Sequence, residues 1–200
     1  MSRFSDVRFL LSAASAEQFP RDEGAEVAFA GRSNAGKSSA INAIAQRRAL
    51  ARTSKLPGRT RLLNFFELVP GGRLVDLPGY GFASAPLVER QRWAPLMDAL
   101  RGRDSLRGLF LIVDARRGIT EADVDVIEWT DPREHRVHIL LSKVDKLTRA
   151  GAAQVLREAR QKVGQQVSLQ LFSAHAATGV AEAQDTLTAW LNQKKPRQPH

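Results

Sequence analysis

The stretch "GRSNAGKSSAIN", residues 31–42, sets two glycines five positions apart ahead of a lysine and a serine, and its reading decides the fold. The spacing G-x-x-x-x-G-K-[S/T] suits a loop that wraps phosphate groups, provided that a strand delivers the first glycine and a helix leaves from the lysine. The flanking pattern meets both conditions: "EVAFAG" (26–31) reads as a strand and residues 37–46 read as a helix. Gly31 and Gly36 let the backbone of Arg32, Ser33, Asn34 and Ala35 turn its N–H groups inward, and the helix start adds partial positive charge. Lys37 can then reach the outer phosphates. The Ser38 hydroxyl, followed by Ser39, is the kind of hard oxygen ligand that Mg²⁺ takes.

Outward from the loop, short apolar runs alternate with helical stripes. "LLNFFELV" and "RLVDL" flank Pro70-Gly71-Gly72 and read as an antiparallel hairpin. "LRGLFLIVDA" and "RVHILLS" are continuous apolar runs of the sort covered on both faces, and "VSLQLFSA" adds a sixth strand. Thr120 with Asp123 resembles a capping box opening a helix that Pro132 ends, and Val155, Ala159 and Val163 form a stripe after Thr148. Val180, Ala183, Leu187, Trp190 and Leu191 make the apolar face of a last helix. The expected fold is α/β: a single domain with a mostly parallel six-stranded sheet, one antiparallel edge strand from the hairpin, and helices on both faces. Residues 1–22 read as an N-terminal arm, 23–192 as the domain and 193–200 as a basic tail.

More fragments fall at the carboxyl ends of these strands. "DLPG" (Asp76, Leu77, Pro78, Gly79) closes the hairpin, where a carboxylate can hold magnesium through water and the Gly79 N–H can touch a terminal phosphate. In the "PGRT" that contains Gly58, Arg59 and Thr60, the threonine hydroxyl is a candidate to join the metal only while that phosphate is present; a turn threonine is the plainer alternative. "SKVD" (Ser142, Lys143, Val144, Asp145) ends the apolar run "HILL". The Asp145 carboxylate can accept from the N1–H and N2–H₂ edge of guanine, and the Lys143 stem can cover the ring. Ser173 and Ala174 end the sixth strand and offer a backbone N–H to the guanine O6. Each fragment alone is common, but in this order they point to GTP or GDP held with Mg²⁺.

Composition narrows the class. Two hundred residues, 43% of them apolar, suffice for one core. The absence of cysteine rules out disulfides and thiolate metal sites. No apolar run approaches the roughly 20 residues of a membrane span, and "RFLLSAASAE" is too short and carries Asp6 too near for a secretory leader, so a soluble, cytoplasmic chain with no membrane partner is expected. The net charge of +9 attracts polyanions; it concentrates in Arg47, Arg48, Arg52, Lys55, Arg59 and Arg61, a stretch without an acid, and again in Lys194, Lys195 and Arg197. Aromatic residues make up only 6%, which weighs against an RNA-binding module in which the nucleotide is merely structural. A kinase or ATPase on the same loop is the other competing class, and Asp145 weighs against it. The four histidines (His135, His138, His175, His200) show no metal-ligand spacing.

Together "GRSNAGKSSAIN", "PGRT", "DLPGYGFA", "SKVD" and "FSA" resemble the EngB family of bacterial ribosome-biogenesis GTPases, within the larger Era and TrmE-like group, and the likeness spans residues 4–192. The resemblance implies a Ras-like GTPase domain whose segments 52–61 and 77–90 respond to the nucleotide. It implies a monomer that assists assembly of the large ribosomal subunit. The partners would be rRNA and ribosomal proteins of that subunit or its precursors rather than DNA, and the protein would be needed for normal cell division and septation. Ser142 stands where the family usually has threonine, and its hydroxyl can still tie the base loop to the phosphate loop. After Ser173, "AHAATG" leaves the O6 donor open between Ala174 and its neighbours. Tyr80 occupies the place where many GTPases put a water-orienting glutamine, so unaided turnover on the order of 10⁻⁴ to 10⁻³ per second is expected, with a partner supplying acceleration. Some relatives bearing G-x-x-N-x-G-K-S recruit K⁺ in place of an arginine finger. Asn34 therefore joins Lys37, Thr60 and Gly79 as a catalytic candidate, a turn-stabilising asparagine being the alternative. Arg59 reads as an RNA or nucleotide contact ahead of an arginine finger.

Overall fold

Residue 4 and residues 6–51, 62–69, 71–80 and 87–192 are described by the structure, a computed structural model. The strands are β1 (Val7–Ala13), β2 (Glu26–Gly31), β3 (Leu63–Leu68), β4 (Arg73–Asp76), β5 (Leu106–Asp114), β6 (Arg136–Ser142) and β7 (Ser168–Leu171), and they form one sheet in the order β1-β3-β4-β2-β5-β6-β7. The helices are α1 (Lys37–Ile44), α2 (Leu87–Arg101), α3 (Glu121–Thr130), α4 (Arg149–Val163) and α5 (Val180–Asn192).

The continuous apolar runs become central strands because both of their faces are covered. Val27 and Phe29 of β2, Phe110 and Ile112 of β5 and Leu140 of β6 point to one side, where Ile41 and Ile44 of α1 and Ala183, Leu187 and Trp190 of α5 close over them. Ala28, Ala30, Leu109, Leu111, Val113, Ile139 and Leu141 point to the other, under Leu100 of α2, Ile127 of α3 and Ala159 of α4. Each fully buried aliphatic or aromatic side chain of this set contributes about 1.5–3 kcal/mol. Phe29 stacks on Phe110 at 5.1 Å, and Trp190 lies 5.0 Å from Phe110. Gly108 makes room for the indole, since a Cβ there would stand 2.7 Å from Trp190.

Two corrections to the sequence expectation concern elements. Among the described residues the sheet has seven strands, not six, because residues 7–13 of the expected arm pair antiparallel with β3 and take the edge. Their alternation is hidden in the sequence by a register shift between Phe9 and Leu11, and the edge position leaves Phe9 and Leu10 exposed. Sequence pattern also left α2 unassigned. Pro95 lies within that helix, where a residue without an N–H normally argues against one, and Leu96, Met97 and Leu100 hold it on the sheet nonetheless.

At the amino ends of the parallel strands, Glu26 is fully buried and accepts from Arg73 Nε (2.7 Å) and Arg103 Nε (2.6 Å). The same two guanidiniums donate to the carbonyls of Pro20, Arg21 and Glu23, pinning the segment that enters β2. At the carboxyl ends the connections diverge: β2 leaves through α1 on one face toward β3, while β4 reaches β5 through α2 on the other. Open α/β sheets form their binding crevice at such a divergence.

Candidate functional site

Gly31 ends β2 pressed against β5, where a Cβ would stand 2.8 Å from the Ile112 carbonyl, so only glycine fits. The chain then turns through left-handed conformations at Asn34 (φ 62°) and Gly36 (φ 99°), and α1 starts at Lys37 with Ser38 and Ser39 in its first turn. Ala35 N–H donates to the Arg32 carbonyl at 3.0 Å and Ser33 N–H donates to the Tyr80 carbonyl at 3.1 Å. Lys37 forms an ion pair with Asp76, with side chains only 12% and 9% exposed. Asp76 ends β4 opposite Phe29, and the Leu77 N–H extends that ladder by donating to the Phe29 carbonyl at 2.9 Å. Pro78 is buried, and Gly79 lies on the loop itself, a Cβ there being 3.4 Å from Ser33 N.

The base-loop candidates come from the next strands. Ser142 ends β6 opposite Asp114 of β5, and its Oγ donates to the Ala35 carbonyl at 2.6 Å. Lys143 takes a left-handed backbone (φ 62°), and its Nζ donates to the Asn34 carbonyl at 2.5 Å and to Asp114 Oδ2 at 3.0 Å. Val144 is buried and its N–H donates to the Phe172 carbonyl at 3.3 Å, joining the loop to the end of β7. Ser173 Oγ donates to Asp145 Oδ1 at 2.6 Å; that bond and the neighbouring Lys146 hold the Asp145 carboxyl below the usual carboxylate range.

A cavity of about 840 Å³ opens between these segments. Gly36 and Lys143 border it, Asp145, Ser173 and Ala174 line one side, and the exposed Arg47 and Arg48 lie at its rim. Small-molecule sites span roughly 300–1,000 Å³, so the space suits a nucleoside with part of its phosphate chain. Gly58, Arg59 and Thr60 lie outside the described residues, as do the rest of 52–61 and the cations of the tail. Among the described residues no cluster of three or more His, Cys, Asp or Glu can hold a metal. The oxygens that fit a hard divalent ion are the Ser38 hydroxyl and the Asp76 carboxylate, which the Lys37 pair draws to the loop, so phosphate and water would complete the shell.

One group, Asp114, and one contact, that of Tyr80 with Asp123, escaped the sequence reading. Asp114 is buried at the end of β5 and accepts from Arg116 Nε (2.9 Å) and Arg116 NH2 (2.6 Å) as well as from Lys143. Burial opposes its charge, but the Arg116 and Lys143 hydrogen bonds outweigh it and keep the carboxyl well below the ordinary range. A carboxylate at the carboxyl end of "LFLIV" was the available signal. The sequence singles out Tyr80 for its place after Gly79, but not its partner: its hydroxyl donates to Asp123 Oδ1 at 2.5 Å, and burial and that carboxylate push its ionisation far up. The pair is separated by 43 positions and has no local signature.

Comparison with known proteins agrees with this geometry. Residues 26–143 match the family described as 50S ribosome-binding GTPase. The chain is 47% identical over 191 residues to the probable GTP-binding protein EngB of Coxiella burnetii, covering 94% of this chain and 93% of the relative. It is 45% identical to the protein of the same name from Aeromonas hydrophila, covering 94% and 88%. Among solved structures, a probable GTP-binding protein engB superposes with a TM-score of 0.65 at 21% identity over 84% of this chain and 98% of that one. Era in complex with MgGDPNP and nucleotides 1506–1542 of 16S ribosomal RNA gives 0.64 at 20% identity, covering 88% and 60%. At these identities the structural likeness speaks for the fold alone. No helix among the described residues is long and apolar enough to cross a membrane.

Proposed function

The chain belongs to the EngB family of GTP-binding proteins, a ribosome-related GTPase family, and from that premise we propose that it is a magnesium-dependent guanine-nucleotide switch that engages the maturing large ribosomal subunit in one nucleotide state and leaves it in the other. The observation that carries the proposal is the double tie between the base loop and the phosphate loop, Ser142 to Ala35 and Lys143 to Asn34, which sets Asp145 across one cavity from Gly36. One ligand bearing both a guanine edge and a phosphate chain satisfies both walls.

In this reading Lys37 and those loop amides between Gly31 and Ser39 that the fold leaves uncommitted hold the phosphates, while the Ser33 and Ala35 N–H groups donate within the protein. Ser38, Asp76 and Thr60 hold Mg²⁺, which when bound neutralises charge on the phosphate oxygens. Asp145 selects guanine under the Lys143 stem, with Val144, Ser173 and Ala174 shaping the pocket. Gly79 meets the terminal phosphate next to Leu77 and Pro78, and Gly58 and Arg59 flank Thr60. Tyr80 cannot orient water as a glutamine would, because its hydroxyl is committed to Asp123, so unaided hydrolysis is slow. Asn34 is a candidate K⁺ ligand. The exposed Arg47 and Arg48 continue into the basic segment 52–61, which supports an rRNA contact that changes with the nucleotide. The protein works as a cytoplasmic monomer, and its part in cell division and septation follows from ribosome supply.

The test is titration calorimetry with Mg²⁺ and GTP, GDP or ATP, followed by sedimentation with ribosomal subunits under GDP and a non-hydrolysable GTP analogue. Guanine nucleotides should bind and ATP should not, and Asp145→Asn should move preference toward xanthosine nucleotides. Heat from ATP alone, or particles bound equally in all nucleotide states, would overturn the proposal.

A further inference from the structure

Tyr80 stands at a junction of three parts of the fold. Its N–H donates to the Gly31 carbonyl at 3.3 Å and its carbonyl accepts from Ser33 N–H at 3.1 Å, so its backbone is stitched across the entry of the phosphate loop. The half-buried ring packs on the apolar core of the α2–α4 face. Its hydroxyl reaches the buried Asp123, whose other oxygen accepts from Thr120 N–H (2.8 Å) and Thr120 Oγ1 (2.6 Å) in the capping box of α3. Asp123 is itself buried in the first turn of a packed helix. A phenol anchored at one end to that helix and at the other to the phosphate loop leaves the preceding residue, Gly79, little freedom, although glycine is the most mobile residue type.

We propose that Tyr80 is the positioning residue for the Gly79 amide, and that its hydrogen bond to Asp123 fixes this amide where a terminal phosphate can meet it. The proposal rests on the guanine-nucleotide reading above. It separates two ligands, because the Gly79 amide serves only the phosphate that GTP has and GDP lacks. Releasing the anchor costs GTP affinity and spares GDP. By reciprocity, GTP binding must tighten the Tyr80–Asp123 bond by the same factor.

Tyr80→Phe removes the hydroxyl and keeps the ring. Titrating wild type and variant with Mg²⁺ and either GDP or a non-hydrolysable GTP analogue should show analogue affinity falling about fivefold or more, the lower end of ordinary coupling, with GDP affinity within about twofold. Asp123→Asn attacks the same bond from the helix side and should shift the ratio in the same direction. A melting curve of each variant separates this from a general loss of structure, which would weaken both ligands together. An unchanged ratio of the two affinities, whether both fall or neither does, overturns the positioning role. Wild type that binds neither nucleotide would instead sink the guanine-nucleotide reading itself.

Discussion

Removing the Ser142 hydroxyl tests whether the two loops must be held at a fixed spacing. Ser142 is 3% exposed and its Oγ donates to the Ala35 carbonyl at 2.6 Å, so Ser142→Ala leaves a buried acceptor without its donor. Such a loss costs about 1–3 kcal/mol, which for a chain of this size lowers the melting temperature by about 2–12 °C. The bond joins residues 107 positions apart, Ser142 on the cavity lining and Ala35 next to Gly36, which also lines it. A ligand that grips both loops must then restore their spacing when it binds, and GDP affinity should fall about 5- to 30-fold, the equivalent of one or two kcal/mol. A ligand that grips only the phosphate loop has nothing to restore, so inorganic pyrophosphate should compete about equally well with wild type and variant. Ser142→Thr keeps the hydroxyl and should stay near wild type in both respects. The assay is GDP titration with pyrophosphate competition, next to thermal melts of all three proteins. Unchanged GDP affinity in a destabilised Ser142→Ala would show that the tie stabilises the fold without setting the site, and an equal loss for GDP and pyrophosphate would show that the phosphate loop itself had collapsed.

Three further outcomes are expected. Glu26→Ala strips the buried Arg103 and the partly buried Arg73 of their shared carboxylate and should cost about 3–5 kcal/mol in guanidinium unfolding, with nucleotide affinity at the opposite end of the strands unaltered in the folded protein. Asn34→Ala should abolish any difference in GTPase rate between potassium and sodium buffers; equal rates in both salts for wild type would remove the K⁺ assignment. Burial lowers the pKa of His138, whose Nε2 faces Gln170 Oε1 at 2.9 Å and whose Nδ1 faces Ser168 Oγ at 2.7 Å, consistent with a neutral ring. The unfolded chain therefore takes up this proton first. The stability it confers is complete above the ordinary histidine value near pH 6.5 and drains away as pH falls through the lower folded value, at up to about 1.4 kcal/mol per pH unit. Urea unfolding between pH 7 and pH 5 should show this slope in wild type and a shallower one in His138→Gln.

How far sequence reaches depends on whether an element is specified locally. β2 occupies the expected residues 26–31, and α3 opens with the Thr120–Asp123 box, because each is written within a few consecutive residues. The site candidates were legible for a related reason: parallel strands end in register, Asp114 opposite Ser142 and Asp76 opposite Phe29, so fragments at strand ends must meet. β1 failed because an edge strand with a register shift buries neither face consistently, and α2 because one proline outweighs an apolar face in a local reading. Tyr80–Asp123 and Lys143–Asp114 were illegible for a different reason. Each joins a residue just beyond a strand end to a side chain on another element, the first turn of α3 or the last residue of β5, and that spacing exists only once the sheet has formed.

Backbone strain follows the same geography. Among the described residues six non-glycine residues have positive φ, and Asn34 lies in the phosphate loop while Gln46, Ala49 and Lys143 border the cavity. A side chain in the left-handed region typically costs of order 1 kcal/mol or more, and such costs persist where the surrounding structure demands them. Lys143 shows the demand most plainly. Glycine would relieve its backbone, yet would delete the ammonium that bridges the Asn34 carbonyl to Asp114 and the stem that lies 3.6 Å from the space a Gly36 side chain would fill. Lys143→Gly should therefore lose its gain in backbone freedom to a carbonyl and a buried carboxylate stripped of their shared donor, the larger of the two effects. The strained lysine is the more stable choice as long as the two loops must stand together.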